Sequence, residues 1–583
     1  MDWDKNGTGS TMKMMTTVTT MNERPPPRIH PRHAAATLPS PPPPLCLIRP
    51  SPKAKHPAIR HPPAPAMDAP PPQQILLGAL LFLLPAALLL HLLLRSKRRP
   101  RLPPGPPSLP LLGSVSWLTN SPAAIEPLLR RLFDRHGPVV ALRVGSRLSV
   151  FVADRRLAHA ALVEGGAVLA DRPALQTANL LGESDNTITR SSYGPTWRLL
   201  RRNLVAETLH PSRVRLFTPA RAWVRRVLVD KLGEPTAGPV VETFQYAMFC
   251  LLVLMCFGER LDEPAVRAIA AAQRESLIYL SRSMSVFAFF PAVTKHVFRA
   301  RLDKARALRR RVKELFLPLI NARREYKKRG GGEPRKETTF EHSYVDTLLD
   351  IKLHEDGDRP LTDDEVILLC SEFLNAGTDT TSTGLQWIMA ELVKNPAIQD
   401  KLYNEIKAST GDEQEEVSEE DVHKMPYLKA VILEGLRKHP PGHFVLPHKA
   451  AEDMEIGGYL IPKGTTVNFM VAEMGRDERE WKNPMEFSPE RFLPGGDGEG
   501  VDVTGTKGIR MMPFGVGRRI CAGLGIAMLH LEYFVANMVR EFEWQEVPGE
   551  EVDFAEKNEF TTVMKKPLRP RLVPRRIQSA SAH

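Results

Sequence analysis

The run from Phe514 to Gly523, Phe-Gly-Val-Gly-Arg-Arg-Ile-Cys-Ala-Gly, constrains this chain more than any other stretch. One cysteine, Cys521, sits in a glycine-rich loop beside two arginines, just before a long apolar helical pattern. A thiolate there would lie at a helix N-terminus, where free N–H groups and the helix dipole favour negative charge. Gly515, Gly517 and Gly523 let the backbone pass close to a flat group, because glycine carries no side chain. A buried structural cysteine is the plainer reading of a lone Cys. The residues that accompany Cys521 weigh against it.

The five cysteines (Cys46, Cys250, Cys256, Cys370, Cys521) are too scattered for a disulfide framework or a zinc ribbon. They fit a catalytic region facing a reducing compartment. The net charge of +12 raises the question of nucleic acid, and its distribution answers it. Residues 1–101 carry +10, which leaves +2 for the rest, so no nucleic-acid partner is expected.

Residues 1–72 hold 18 of the 53 prolines and show no apolar periodicity, so disorder is expected there. A transit peptide is one reading of 1–66. The simpler one is an over-extended or non-catalytic tail, with Met67 as an alternative start and 67–74 a short luminal segment. Ile75 to Leu94 is a 20-residue apolar run, long enough to cross a bilayer once. If the chain starts at Met67, no Lys or Arg precedes this run, and Arg95, Lys97, Arg98, Arg99 and Arg101 after it place the rest of the chain in the cytosol by the positive-inside rule. Residues 95–107 read as a basic flank and a stiff, proline-rich hinge. A globular catalytic domain is expected over 108–576, with 577–583 a short tail.

Within the domain, Gly137 to Val152 alternates as a small β-hairpin or sheet would. Further extended pieces appear near Met454–Leu460, Thr465–Phe469 and Phe560–Lys565. Most of the remainder reads as helix, including Glu126–Arg135, Pro211–Leu232, Pro264–Arg282 and Arg301–Arg329. The expected class is mainly α with small β-sheets, in one large helical domain.

Thr362-Asp363-Asp364-Glu365 is a capping box opening a helix that Asn395-Pro396 should stop. Midway lies Asn375-Ala376-Gly377-Thr378-Asp379-Thr380-Thr381, where small residues and hydroxyls should encourage a local opening. Close helix packing alone would explain the glycines. It does not require an acid beside adjacent threonines. Glu434 and Arg437 share a helix face at i, i+3, and Arg491, in Pro489-Glu490-Arg491-Phe492, could close a charge-assisted network with them. Trp197 and Arg201 share a face at i, i+4, and His448 follows an irregular proline-rich stretch.

Together these motifs resemble the cytochrome P450 superfamily over about Pro103 to Arg576. Phe514, Gly517, Arg519, Cys521 and Gly523 match FxxGxRxCxG, and Glu434 and Arg437 match ExxR. Pro489–Phe492 matches the PERF box, and Trp197 and Arg201 match WxxxR. Ala376, Gly377, Asp379, Thr380 and Thr381 match AGxDTT. Gln386–Ala390, His439–His448 and Glu532–Trp544 are most similar to plant microsomal A-type members, particularly plant family 89.

The resemblance implies haem b with Cys521 as axial thiolate, which would push electron density onto iron and favour O–O cleavage. It implies that Arg519, Trp197, Arg201 and His448 hold the haem carboxylates, and that Phe514 and Gly523 frame the haem-binding loop around Cys521. Ala376 and Gly377 would give O2 room, and Asp379 and Thr380 would relay protons. The reaction implied is insertion of one oxygen atom of O2 into an apolar or amphipathic small organic substrate. Electrons would come from NADPH through cytochrome P450 reductase at the endoplasmic reticulum membrane, docking near Arg198, Arg202 and Arg518. Substrate contacts would come from Asp171–Tyr193, Leu277–Val293 and Phe444–Leu446, including Leu175, Leu180, Leu181, Phe287, Phe289, Phe290 and Phe444. A haem-thiolate isomerase or dehydratase, or a non-enzymatic haem protein, would have less use for the acid–threonine pair.

Overall fold

A capping box starts the longest helix. The Thr362 hydroxyl accepts the Glu365 N–H, and the Glu365 carboxylate accepts the Thr362 N–H, so two free donors of the first turn are satisfied. The helix runs from Asp363 to Lys394 and ends where Asn395-Pro396 predicts. Glu365 also takes bonds from Arg359 (2.8 Å) and Asn186 (2.8 Å). Burial raises the pKa of this carboxyl, but Arg359, the Thr362 N–H and Asn186 outweigh it and hold Glu365 at about 2.

That depression has a pH signature. The ionised form is bound more tightly in the folded state, so its stabilisation is complete above the unfolded value, about 4.3, and is lost as pH falls toward 2. Glu365→Gln should therefore cost on the order of 1–2 kcal/mol at pH 7, less than the full shift implies because solvent screens the exposed Arg359. Paired acid titrations followed by circular dichroism should show the deficit vanishing between these pH values. A constant deficit would contradict the assignment.

The computed structural model describes residues 101–575, apart from 110–112, 115–124, 145–146, 235–237, 289–290, 331–339, 412–413 and 415. These residues belong to one compact unit, 92–583. The expected tail, luminal segment, membrane anchor, first part of the hinge and C-terminal tail, together with Cys46, Phe289 and Phe290, lie outside the described residues.

In chain order the elements that frame the site begin with the short strands β1 (Ser108–Leu109) and β2 (Gly113–Ser114) and helix α1 (Ile125–His136). Strands β3 (Val139–Val144) and β4 (Arg147–Val152) and helix α2 (Pro195–Asn203) come next. Helices α3 (Val240–Phe257), α4 (Glu263–Ser283), α5 (Arg299–Lys328), α6 (Asp363–Lys394) and α7 (Pro426–Lys438) follow. Strands β5 (His448–Lys449) and β6 (Thr466–Phe469), helix α8 (Leu524–Glu541) and strands β7 (Glu556–Asn558) and β8 (Thr562–Met564) complete the frame.

The Gly137–Val152 hairpin is not a separate feature. It forms the middle of a six-stranded sheet in the order β1-β2-β3-β4-β6-β5. Strand β6 pairs parallel to β4, with Val467 beside Val150 and Phe469 beside Val152. Parallel neighbours need a long crossover, and here the helices from α2 to α7 lie between the two strands in sequence.

Helix α3 is long and apolar enough to cross a membrane, yet most of it is buried in the protein core, from Phe244 to Phe257 against α6 and its neighbours. It is hydrophobic all round because it is covered all round. The helix expected over Pro211–Leu232 is two, Pro211–Arg215 and Thr218–Gly233, with the break at Leu216-Phe217 ahead of Pro219.

Candidate active site

The loop from Phe514 to Gly523 closes on itself. The Cys521 N–H donates to the Phe514 carbonyl (2.9 Å), and a single 3₁₀ turn spans Gly517–Arg519. Gly517 has φ +71°, and a Cβ there would lie 2.0 Å from the Leu162 carbonyl oxygen, so only glycine fits. Gly523 caps α8, which places Cys521 just ahead of the helix start.

Of the described cysteines, Cys250, Cys256 and Cys370 are buried, whereas Cys521 keeps an exposed face. The protein around the Cys521 thiol is nonetheless dense. Burial raises its pKa, against the opposing pull of the Gly523 N–H and Arg201. The helix terminus and the nearby cation do not by themselves create the thiolate that the sequence predicts. A stronger positive charge at sulfur is needed.

Beside the loop, cations gather. Arg519 donates to the carbonyls of Ala170 (2.7 Å), Ile188 (3.0 Å) and Ser191 (2.6 Å), which uses three of its five N–H groups. Arg201 donates to the Ile520 carbonyl (2.6 Å). Trp197 lies between Arg519 and Arg201, with its ring centre 4.4 and 5.5 Å from their guanidinium carbons, and its indole N–H donates to the Ile188 carbonyl (3.1 Å). Arg172, which motif spacing did not single out, donates to the carbonyls of Leu446 (2.7 Å) and Pro447 (2.8 Å). Its buried Nε has no partner.

The cluster is electrostatically under-compensated. Burial, then Arg519, pushes Arg172 down to about 9. Burial, then Arg201, pushes Arg519 down to about 10 against the pull of Asp171. Bringing an anion here would relieve both.

His448 is not placed as expected. Its Nδ1 lies 2.6 Å from the Leu169 carbonyl, which can only accept, so the neutral ring leaves Nε2 as an acceptor. Burial, then Arg172, depresses its pKa to about 3. A neutral acceptor cannot hold a carboxylate. Arg172, whose Nε–H is unpartnered, stands beside His448.

Helix α6 contributes a second set of groups. Ala376 is exposed and Thr380 half-exposed, and the Thr380 hydroxyl donates to the Ala376 carbonyl (2.6 Å). The helix is unbroken here: the Thr380 and Ser382 hydroxyls bond back to the preceding turn, and the expected local opening does not occur. Gly377 packs against α3. Its Cβ direction is occupied by Leu252 of α3, 2.7 Å away, so this glycine serves close helix packing. Asp379 is buried and accepts from Arg274 of α4 (2.8 Å) and Gln245 of α3 (3.4 Å). Burial raises its pKa, with Arg274 opposing.

Of the aromatics expected to meet substrate, Phe287 is a core residue and Phe444 is half-buried. Phe287 is fully buried with Met284 and Leu302, against Leu180 and Leu181. Phe444 packs on the core around α1 and β3, edge-on to Phe151 at 6.2 Å.

Glu434, Arg437 and Arg491 come together. Arg437 grips Glu434 with two bonds (2.6 and 2.8 Å), and Arg491 reaches the same carboxylate at 3.2 Å. Arg437 also donates to the carbonyls of Gly475 and Pro484, both at 2.7 Å, and Arg491 to that of Asn483 (2.8 Å).

Residues 103–573 match the family model described as cytochrome P450. The chain is a cytochrome P450. Cytochrome P450 89A9 of Arabidopsis thaliana is 47% identical to it over 493 residues, covering 82% of this chain and 94% of that one. A flavonoid 3'-monooxygenase of Arabidopsis thaliana is 32% identical over 522 residues, covering 86% and 97%. A tryptamine 5-hydroxylase of Oryza sativa subsp. japonica is 32% identical over 502 residues, covering 84% and 94%. A zebra fish cytochrome P450 solved with progesterone shares the fold, with a TM-score of 0.62 at 23% identity over 78% of this chain and 100% of that one.

Membership makes this P450 an oxidoreductase that incorporates oxygen from O2, with a haem whose iron takes a cysteine thiolate. The site fits such a group. Among the described residues no three His, Cys, Asp or Glu side chains gather to hold a bare metal ion. Arg172, Arg201 and Arg519 are the cations a dianionic macrocycle calls for. Motif spacing did not reveal Arg172, Arg274 or Glu372. Glu365, Glu372 and Asp379 recur every seven residues along α6, a face legible in the sequence, but their partners come from distant segments.

Proposed function

We propose that Cys521 is the axial haem ligand of this P450, that Arg172, Arg201 and Arg519 hold the haem carboxylates, and that Asp379 and Thr380 relay protons. The observation that supports this reading is a set of half-buried cations with too little counter-charge beside the one exposed cysteine among the described residues.

Haem supplies the activation of O2 and the insertion of one oxygen atom into a substrate C–H or similar bond. The chain manages protons. Asp379 is buried enough to keep its proton affinity up, while Arg274 keeps the carboxylate accessible to ionisation. The Thr380 hydroxyl has its proton on the Ala376 carbonyl, so its lone pairs are free to accept a hydrogen bond, and it donates only after turning away.

The substrate read here is an apolar or amphipathic small organic molecule. Electrons come from NADPH through cytochrome P450 reductase at the endoplasmic reticulum, with 75–94 as a single anchor and the catalytic domain cytosolic. Arg198 and Arg518 flank the Tyr193 ring at 5.2 and 5.4 Å, and Arg202 is exposed on the same helix as Arg198, a basic face suited to an acidic partner. A groove of about 670 Å³ is lined by Thr196, Trp197, Arg198, Arg201, Arg202 and His354, so it reaches from this basic face to the cations beside the cysteine loop.

Thr380→Ala tests the relay. With reductase, NADPH and a turned-over substrate, the product formed per NADPH should fall about tenfold or more while NADPH consumption continues and peroxide accumulates. Unchanged coupling would remove Thr380 from the proton path.

A further inference from the structure

The loop between residues 183 and 193 is held from two sides. On one side stands Glu372, one turn before Ala376 on α6. Its Oε2 accepts the Ile188 N–H at 2.9 Å and its Oε1 accepts the Thr189 N–H at 2.6 Å. On the other side, the Ile188 carbonyl receives the Trp197 indole N–H (3.1 Å) and Arg519 Nη1 (3.0 Å), and the Ser191 carbonyl receives Arg519 Nη2 (2.6 Å). One short stretch of backbone is thus shared between a carboxylate of α6 and the two side chains next to the cysteine loop.

Glu365, two turns earlier on the same helix face, takes Ser184 (3.1 Å) and Asn186 (2.8 Å), so the loop is laid along α6 at two points. The contact is also electrostatic. Glu372 is near enough to favour the charged forms of both Arg172 and Arg519.

We propose that Glu372 is a positioning residue for cofactor binding: by fixing the Ile188–Thr189 peptide, it sets where Trp197 and Arg519 point. The inference rests on the assignment of Arg519 to the haem carboxylates. It requires a carboxylate specifically. Two consecutive N–H groups need two acceptor oxygens, whereas glutamine offers one acceptor and turns an NH₂ toward the other N–H. A residue that only filled space would tolerate that exchange. One that only supplied charge would leave the loop in place.

The test uses the haem-loaded full chain and two measurements: haem transfer to excess apomyoglobin, and amide hydrogen exchange at Ile188 and Thr189. Glu372→Gln should release haem about tenfold faster and lose protection at both amides, as expected for loss of a charge-assisted bond. Glu372→Asp, which keeps both oxygens on a shorter stem, should fall between the parent and glutamine. It carries the comparison if Glu372→Gln is recovered without haem. Rates and protection within twofold of the parent in the variants would overturn the proposal. Arg519→Leu separates the two layers. If it too leaves haem release unchanged, the carboxylate assignment fails. If it accelerates release while the Glu372 variants do not, only the role of Glu372 fails.

Discussion

Arg437→Ala is expected to destabilise the fold by about 3–5 kcal/mol, the cost of breaking a buried ion pair from one side. Glu434 and Arg437 are fully buried, so the carboxylate left behind would keep only Arg491 at 3.2 Å and the Ser488 N–H at 3.0 Å. The carbonyls of Gly475 and Pro484 would lose their donor as well. Against a usual total of about 5–15 kcal/mol, a loss of that size removes most of the folded haem protein from an expression culture. Arg437→Lys should not restore it, because a point charge cannot make the bidentate grip and reach two further carbonyls. Denaturant unfolding of whatever soluble protein remains is the measurement. A loss under about 1 kcal/mol would mean that the network is ornamental and that α7 is held to the 475–497 segment by packing alone.

The same residues show what a sequence can and cannot carry. Glu434 and Arg437 are neighbours on one helix face, so their pairing follows from spacing; Arg491, more than fifty residues on, follows only from its motif. The capping box at Thr362 and the stop at Asn395-Pro396 are local, and both ends of α6 are where local rules put them. The interior of α6 is different. A run of glycine, threonine and serine predicts an opening when read alone, but the hydroxyls bond back within the helix and Leu252 fills the space at Gly377. What happens there is decided by α3, which no local pattern near Gly377 announces.

His448 fails for a related reason. A histidine at that place in the chain looks like a donor until the fold buries it beside Arg172 and Arg519, and burial first, then their charge, keeps it neutral. Arg172 itself lies in the segment read as substrate-facing, and nothing in its immediate neighbours says that Leu446 and Pro447 will receive it. Convergence of distant segments is the information that spacing lacks.

Cys521→Ser should abolish oxygen insertion, with turnover falling at least about a hundredfold. Serine has nearly the same shape, and the loop around it is fixed by the Cys521 N–H bond to Phe514, the 3₁₀ turn and Gly517 against Leu162, none of which involves the sulfur. The fold and the cation cluster should therefore survive, and haem should still bind, held by Arg172, Arg201 and Arg519. What is lost is the thiolate, whose electron donation favours O–O cleavage. The most direct measurement is the reduced-CO difference spectrum of the full chain and of Cys521→Ser, at matched haem content. The parent should show the Soret band of a thiolate-ligated haem, and the variant should bind CO without it. A variant that keeps the thiolate band, or a parent that never shows it, would contradict the assignment of Cys521 to iron.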